Sequence, residues 1–224
     1  MRYVLTLGNK NYSSWSLRGW LLFEPFGIPF EHKVVPLYTE AFTDFASASY
    51  PARQVPTLRV ENDGAELTIW DSLSIAEFLH ERHPDAGLWP RDTAARAAAR
   101  SLCAEMHSGF SSLRATMPMN MRRQYTSFVP NAETGADIAR MRALWSWARR
   151  NWCDGDPYLF GENFCAADAF FAPIASRFST YGISLDAPSE AYVAALLAHP
   201  ATEGFYRDAK AESWIMEHNE LDID

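Results

Sequence analysis

Short apolar runs alternate with amphipathic segments over the first 83 residues of the chain. Residues 3–7 and 30–35 are rich in apolar and β-branched side chains, which predicts two strands. The segment between them has helical spacing from the serines near residue 14 until Pro25 and Gly27 end it. A looser helical stretch follows at residues 39–47. The predicted order is therefore strand, helix, strand, helix.

Residues 53–72 predict a hairpin followed by a helix. Two short β-branched runs flank a turn that contains Asp-Gly, which is typical of a tight hairpin connection. Pro56 stands at the opening of the first run, and we expect it to be cis, with the backbone of Val55 turned outward. Asp71 or Ser72 caps the helix that follows. The N-terminus of such a helix is suited to a carboxylate.

The order of these elements predicts the fold of each half of the chain. A βαβ unit followed by a ββα unit is the thioredoxin-like arrangement, βαβαββα, which we assign to residues 1–83. Residues 84–92 contain two prolines and a glycine and read as a linker. Residues 93–224 lack strand alternation, so we predict an all-α, helical bundle domain there.

Within the helical half, the sequence predicts four main segments. They are a long Ala- and Arg-rich helix through residue 114, a helix at 134–152, and pieces at 190–197 and 201–209. The acidic segment 217–224 is expected to be loosely held.

Composition narrows the classes of function. With 48% hydrophobic and 21% charged residues, the chain is expected to be globular. A net charge of −8 argues against a nucleic-acid partner. No apolar run is long enough for a membrane span and no signal peptide is evident, so we expect a cytoplasmic protein without a membrane partner. Three widely spaced cysteines fit neither a disulfide framework nor a zinc site, so no metal is predicted.

The pairs Val55-Pro56 and Asp71-Ser72 on one predicted hairpin resemble the glutathione site of the cytosolic glutathione S-transferases. In that family a thioredoxin-like domain pairs the cysteinyl backbone of glutathione with the residue before a cis-proline. The resemblance implies that glutathione is the co-substrate. It also implies the set of glutathione-binding residues, which is Gln54, Val55, Pro56, Asp71 and Ser72.

The segment Ser13-Ser14-Trp15-Ser16-Leu17-Arg18 resembles the Ser-Ser-Cys-Ser-x-Arg motif of the zeta class, the maleylacetoacetate isomerase group. The resemblance implies that Ser13 or Ser14 holds the glutathione thiol as a thiolate. From its place in the motif we expect Ser13 to do this and Ser14 to cap the helix. Trp15 departs from the motif, which has a cysteine at that position.

The resemblance extends to the helical half. An acid at Asp168, three residues after Cys165, matches a family capping box that has serine or threonine in place of the cysteine. Arg177 resembles the zeta-class arginine that holds a substrate carboxylate. We expect the acceptor substrate to contact Tyr12, Trp15, His107 and Arg177, and we expect a homodimer.

Several functions are compatible with these residues. The first is a glutathione transferase that adds the thiolate to a small electrophile, and the second is a glutathione-dependent isomerase of a maleylacetoacetate-like diacid. Thiol-disulfide exchange by the protein itself is disfavoured, because no cysteine precedes Cys103. A non-catalytic binding protein with the transferase fold stays open, since a fold does not fix a function. The sequence does not identify the electrophile.

Overall fold

A computed structural model describes residues 1–223. The strands are β1 (Arg2–Leu7), β2 (Glu31–Val34), β3 (Thr57–Asn62) and β4 (Ala65–Ile69). The helices are α1 (Ser14–Trp20), α2 (Glu40–Ala48), α3 (Ser72–Arg82), α4 (Thr93–Ser108), α5 (Ser111–Thr116), α6 (Ala132–Trp152), α7 (Ala166–Thr180), α8 (Ala187–Leu197) and α9 (Pro200–Ala211).

The four strands form one mixed sheet in the order β2-β1-β3-β4. β1 pairs with β2 in parallel, across the connection that contains α1, and with β3 antiparallel. β3 and β4 form the predicted antiparallel hairpin. This is the thioredoxin-like arrangement predicted from the pattern of the first half.

The second half is helical, as predicted, and is built around α7. This helix is buried along nearly its whole length and packs against α1, α4 and α8. Trp145 of α6 completes the core, with its ring edge-on to those of Phe171, Phe178 and Tyr192. Among the helices of residues 1–223, none has the length and apolarity needed to cross a membrane.

The N-terminus of α7 is closed by the predicted capping box. The Asp168 carboxylate accepts a hydrogen bond from the backbone N–H of Cys165 at 2.9 Å, and the Cys165 side chain faces the amide of Asp168 in turn. The same carboxylate accepts bonds from the Leu159 amide and the Tyr192 hydroxyl. A thiol is a weak acceptor, so most of the capping falls to the carboxylate.

The predicted long helix through residue 114 is wrong in one respect, because the chain breaks between α4 and α5. Gly109 is extended, and Phe110 adopts a left-handed conformation with φ of 62°. The side chain of Phe110 is nevertheless buried. Burial of this aromatic ring offsets the cost of a conformation that non-glycine residues seldom adopt.

The prediction that residues 217–224 are loosely held is wrong at Glu220 and Leu221, which are hydrogen-bonded to earlier parts of the chain. Residues 212–221, here called the strap, follow α9 and return to the loop between β1 and α1. Glu220 accepts hydrogen bonds from Tyr12 and Asn120, and its carboxylate pairs with Arg123. Glu220 is thus tied to Tyr12, Asn120 and Arg123, whereas Glu217 is exposed.

The packing of α1 against the start of β3 depends on a glycine. A Cβ atom added to Gly19 would lie 2.6 Å from Cβ of Pro56. Real Cβ atoms do not approach so closely, and neither the helix nor the proline ring can move freely in a packed interior. Gly19 therefore fixes how closely α1 lies to the Val55-Pro56 segment.

We predict that Gly19→Ala destabilises the protein, because the overpacking cost of about 1–3 kcal/mol exceeds the gain in helix propensity. Gly135→Ala in α6 is the matched control, since a Cβ there meets nothing within 4 Å. The control should be stabilised by roughly 0.5–1 kcal/mol. Chemical denaturation of both variants measures the difference, and equal effects would show that the contact with Pro56 relaxes without cost.

Candidate functional site

A cleft of about 290 Å³ lies where the thioredoxin-like half meets α4. Its lining consists of Trp15, Gln54, Val55, Pro56, Asp71 and His107. Clefts of about 390 and 460 Å³ lie on the helical half, away from every residue predicted for a site. The smaller cleft is the relevant one, because four predicted glutathione-binding residues and two predicted substrate residues line it.

The Val55-Pro56 segment forms one wall of the cleft. The bond between these residues is cis, as predicted. The backbone N–H and C=O of Val55 make no hydrogen bond to any other residue in the described part of the chain. The carbonyl of the exposed residue Gln54 accepts a bond from the Thr57 hydroxyl at 2.6 Å. An extended peptide could therefore pair with the backbone of Val55.

The N-terminus of α3 forms the opposite wall. Asp71 is the N-cap, and its Oδ1 accepts a hydrogen bond from the Leu73 amide at 3.0 Å. Ser72 is fully buried and does not itself line the cleft, and its hydroxyl has no partner within residues 1–223. A helix N-terminus with an uncommitted hydroxyl is suited to a carboxylate.

His107 of α4 closes the cleft from the helical half. Its Nε2 lies 3.0 Å from Oδ2 of Asp71, and its buried Nδ1 has no partner among the described residues. Burial lowers the pKa of His107 below its ordinary value, and the Asp71 carboxylate opposes this shift. At neutral pH the imidazole is therefore neutral and donates Nε2–H to the carboxylate.

The two serines at the start of α1 divide their roles differently from the prediction. Ser13, not Ser14, is the N-cap, and its Oγ accepts bonds from the Ser16 amide at 3.2 Å and the Ser16 hydroxyl at 2.8 Å. The Ser16 hydroxyl accepts in turn from the Gly8 amide. Both acceptor positions of Ser13 are thus filled, and its own hydroxyl hydrogen is unassigned. Ser14 makes no side-chain hydrogen bond to another described residue.

Trp15 is fixed by cations and by the histidine. The guanidinium carbon of Arg18 lies 4.3 Å from the centre of the indole, and that of Arg114 lies 4.9 Å from it. The His107 ring meets the indole edge-on at 4.9 Å. Where the zeta-class motif has a nucleophilic thiol, this chain has an aromatic ring held by cation–π contacts.

Three buried or half-buried arginines, Arg18, Arg114 and Arg177, lie close enough together for their charges to interact. The Nε of Arg18 donates to the Phe170 carbonyl, while its two terminal nitrogens have no acceptor in the described structure. Burial, together with Arg114 and Arg177, lowers the pKa of Arg18. Burial and the charge of Arg114 lower the pKa of Arg177 to about 9, so that side chain stays cationic at neutral pH. The region therefore carries an excess of positive charge.

Two predicted substrate residues do not line the cleft. The Tyr12 hydroxyl donates to Glu220 at 2.6 Å and accepts from Arg122 at 2.7 Å, so this ring anchors the strap. Arg177 donates from Nε to the Met117 carbonyl at 2.7 Å. Trp15 and His107 are the predicted substrate residues that the fold brings to the cleft.

Sequence reasoning missed the cluster around Trp15 and the pairing of His107 with Asp71. A signal for Arg18 was present, because residues 14, 17, 18 and 21 lie on one face of α1 and the others on that face are apolar or small. An arginine there must be buried. The contact between His107 and Asp71 joins residues 36 positions apart in different halves and leaves no local pattern.

Comparison with known proteins agrees with this architecture. Residues 12–82 match the family model described as glutathione S-transferase, N-terminal domain. A solved glutathione transferase homologue from Burkholderia, with bound glutathione, superposes with a TM-score of 0.70 at 23% identity, covering 95% of this chain and all of the other. Residues 12–82 are therefore similar to the N-terminal domain of glutathione S-transferases, and the chain as a whole has the fold of these transferases.

Relatives named maleylacetoacetate isomerase confirm the predicted resemblance to the zeta class. A probable maleylacetoacetate isomerase from Caenorhabditis elegans is 37% identical over 104 residues, 46% of each chain. The chain spans about half the length of the curated relatives it matches. A solved maleylacetoacetate isomerase from Anaeromyxobacter dehalogenans, with dicarboxyethyl glutathione and citrate in its active site, is 25% identical with a TM-score of 0.67, over 100% of this chain and 98% of the other.

We predict that Asp71→Asn lowers the pKa of His107 further, because the carboxylate is the group that opposes burial. Nuclear magnetic resonance titration of the imidazole measures this shift. Glu105→Gln, which removes an α4 carboxylate that pairs with Arg140 instead, should leave the titration unchanged.

The lowered pKa of His107 also determines how the stability of the fold changes with pH. The unfolded chain takes up the His107 proton near its ordinary value of about 6.5, before the folded chain does, so acidification below that value destabilises the fold. A His107 pKa at or above the ordinary value in the native protein would contradict both expectations.

Proposed function

We propose that this protein is a glutathione transferase that adds the thiolate of glutathione to a small electrophile. The observation that carries the proposal is the hydrogen-bonding state of Ser13. Its oxygen accepts from two donors at the N-terminus of α1, which leaves its own O–H free to donate to a further acceptor. A group in that position stabilises an anion at the end of the helix.

The proposed glutathione contacts follow from groups that lack partners. Val55 supplies an unpaired amide and carbonyl for the cysteinyl backbone, and the Ser72 hydroxyl at the α3 N-terminus suits a terminal carboxylate. Each oxygen of Asp71 accepts one bond in the structure, so each keeps a further lone pair for an ammonium group. Gln54 and Pro56 complete the proposed set as walls of the cleft.

Activation of the thiol requires a modest free energy. An ordinary thiol titrates near pH 8.5, and one pKa unit equals about 1.36 kcal/mol. A hydrogen bond to a charged acceptor contributes about 1.5–3 kcal/mol and a helix N-terminus about 0.3–1 kcal/mol. Together these effects lower the thiol pKa by roughly one to three units, which is enough for a thiolate at neutral pH without a base.

A second candidate is the isomerisation of a maleylacetoacetate-like diacid. The observation that favours it is the excess of positive charge at Arg18, Arg114 and Arg177, which suits a substrate with carboxylates. The name of the C. elegans relative supports the same reaction. Trp15 covers this charge from the cleft side, in place of the motif cysteine. Assays of one preparation with a halogenated aromatic and with maleylacetone decide between the two reactions.

We predict that Ser13→Ala raises the pKa of the bound glutathione thiol by roughly one to two units, as expected for the loss of a bond to a charged group. Conjugation at pH 7 should fall about ten- to a hundred-fold, and glutathione affinity should change much less. The ultraviolet absorbance of the bound thiolate as a function of pH measures the shift.

Two further variants separate catalysis from capping. Asn131→Ala removes the N-cap of α6, as Ser13→Ala removes that of α1. It should lower the free energy of unfolding by about 1 kcal/mol without changing the pKa of the bound thiol. Ser14→Ala removes the neighbouring hydroxyl that caps nothing. A shift in the Ser14 variant with none in the Ser13 variant would transfer the role to Ser14.

We also propose a homodimer in the cytoplasm. β4 is an edge strand of the sheet; Leu67 within it is 50% exposed, and Trp70 directly after it is 37% exposed. Such apolar groups on an open edge favour association. The free, partly exposed thiol of Cys153 is consistent with a reducing compartment. Sedimentation at micromolar concentration should give twice the chain mass of 25.3 kDa, and a monomer would contradict the proposal.

A further inference from the structure

We propose that the strap, residues 212–221, positions the serine that activates glutathione. The inference rests on the proposed function and adds a second part of the chain to it. Tyr12, Glu212 and Glu220 are positioning residues, because they act on the loop that ends at Ser13 and not on the ligand.

The loop between β1 and α1 is unusual because it is buried. Every residue from Gly8 to Ser14 is buried, including Lys10 and Asn11. A buried loop needs an acceptor for each backbone N–H, and the sheet cannot provide one beyond the end of β1. The position of this loop therefore depends on whatever satisfies its amides.

Glu212 at the start of the strap satisfies two of them. Its Oε1 accepts from the Lys10 amide at 2.7 Å, and its Oε2 accepts from the Asn11 amide at 3.2 Å. One carboxylate thus holds two successive backbone groups. Charge-assisted bonds of this kind are stronger than bonds between neutral groups.

The far end of the strap holds the next residue of the loop. The Tyr12 hydroxyl donates to Glu220 and accepts from Arg122. Arg122 also donates to the carbonyls of Glu212 and Trp214. Loop and strap are therefore joined at both ends of the strap by a single hydrogen-bonded network.

The network reaches Ser13 through one tight turn. The Asn9 carbonyl accepts from the amides of Tyr12 and Ser13, at 3.2 and 2.8 Å. A displacement of Lys10 or Tyr12 therefore displaces the Ser13 backbone. Because a hydrogen bond weakens steeply with misalignment, such a displacement weakens donation from Ser13 to a thiolate.

The test uses Glu212→Gln and Tyr12→Phe, with Glu217→Gln as the matched control. Glu217 belongs to the strap, is exposed, and its side chain makes no hydrogen bond to another described residue. In Glu212→Gln one of the two carboxylate oxygens becomes an NH2 group. That group faces a backbone N–H of the loop, so one of the two hydrogen bonds is lost. We expect the two test variants to raise the pKa of the bound thiol by at least about half a unit, about threefold in its ionisation constant.

The accompanying kinetics distinguish positioning from loss of fold. kcat should fall while the KM for glutathione stays close to that of the native protein, since the proposed binding groups lie elsewhere. The control should match the native protein in both, at a temperature where thermal unfolding shows every variant to be folded. If Glu212→Gln does not fold, Tyr12→Phe decides alone, because it removes a single hydroxyl.

The outcomes separate the two proposals. An ordinary thiol pKa in the native protein overturns the proposed function itself. A depressed pKa in the native protein that is equally depressed in Tyr12→Phe and Glu212→Gln overturns the strap inference and leaves the function standing. A raised pKa in the test variants, with none in the control, supports the inference.

Discussion

The burial of α7 is the constraint on which the rest of the structure depends. A helix surrounded by protein cannot leave the amides of its first turn to water, so they need partners inside. Asp168 supplies the capping and binds the Leu159 amide and the Tyr192 hydroxyl as well. Burial raises the pKa of this carboxyl, and its several donors oppose that shift. One side chain thereby ties α7 to α8 and to the loop before it.

The same burial explains why the candidate site is positively charged. α1 packs directly on α7, and Arg18 at their contact uses its Nε to bind the Phe170 carbonyl. No carboxylate of the described chain bonds to its remaining nitrogens, and its guanidinium lies over the face of Trp15. The position of Trp15 in the cleft is thus a consequence of packing in the core.

Much of the fold was predictable because its signals are local. β-branched runs, an Asp-Gly turn and a proline before β3 predicted the hairpin within a residue or two, and the pair Asp71-Ser72 predicted the start of α3. The break at Phe110 was missed, since only tertiary packing maintains its left-handed backbone. At the start of α1 the adjacent serines are equivalent in composition, so the backbone conformation at Ser13 alone decides which one caps.

The attachment of the strap has a consequence for the order in which the protein matures. The hydrogen bonds from Lys10 and Tyr12 to Glu212 and Glu220 join residues 202 and 208 positions apart. Contacts of such high sequence separation form late in folding, after local elements exist. During synthesis the thioredoxin-like sheet leaves the ribosome long before residue 212 is made. The β1–α1 loop therefore reaches its final position only after the strap has been synthesised and has bound to it.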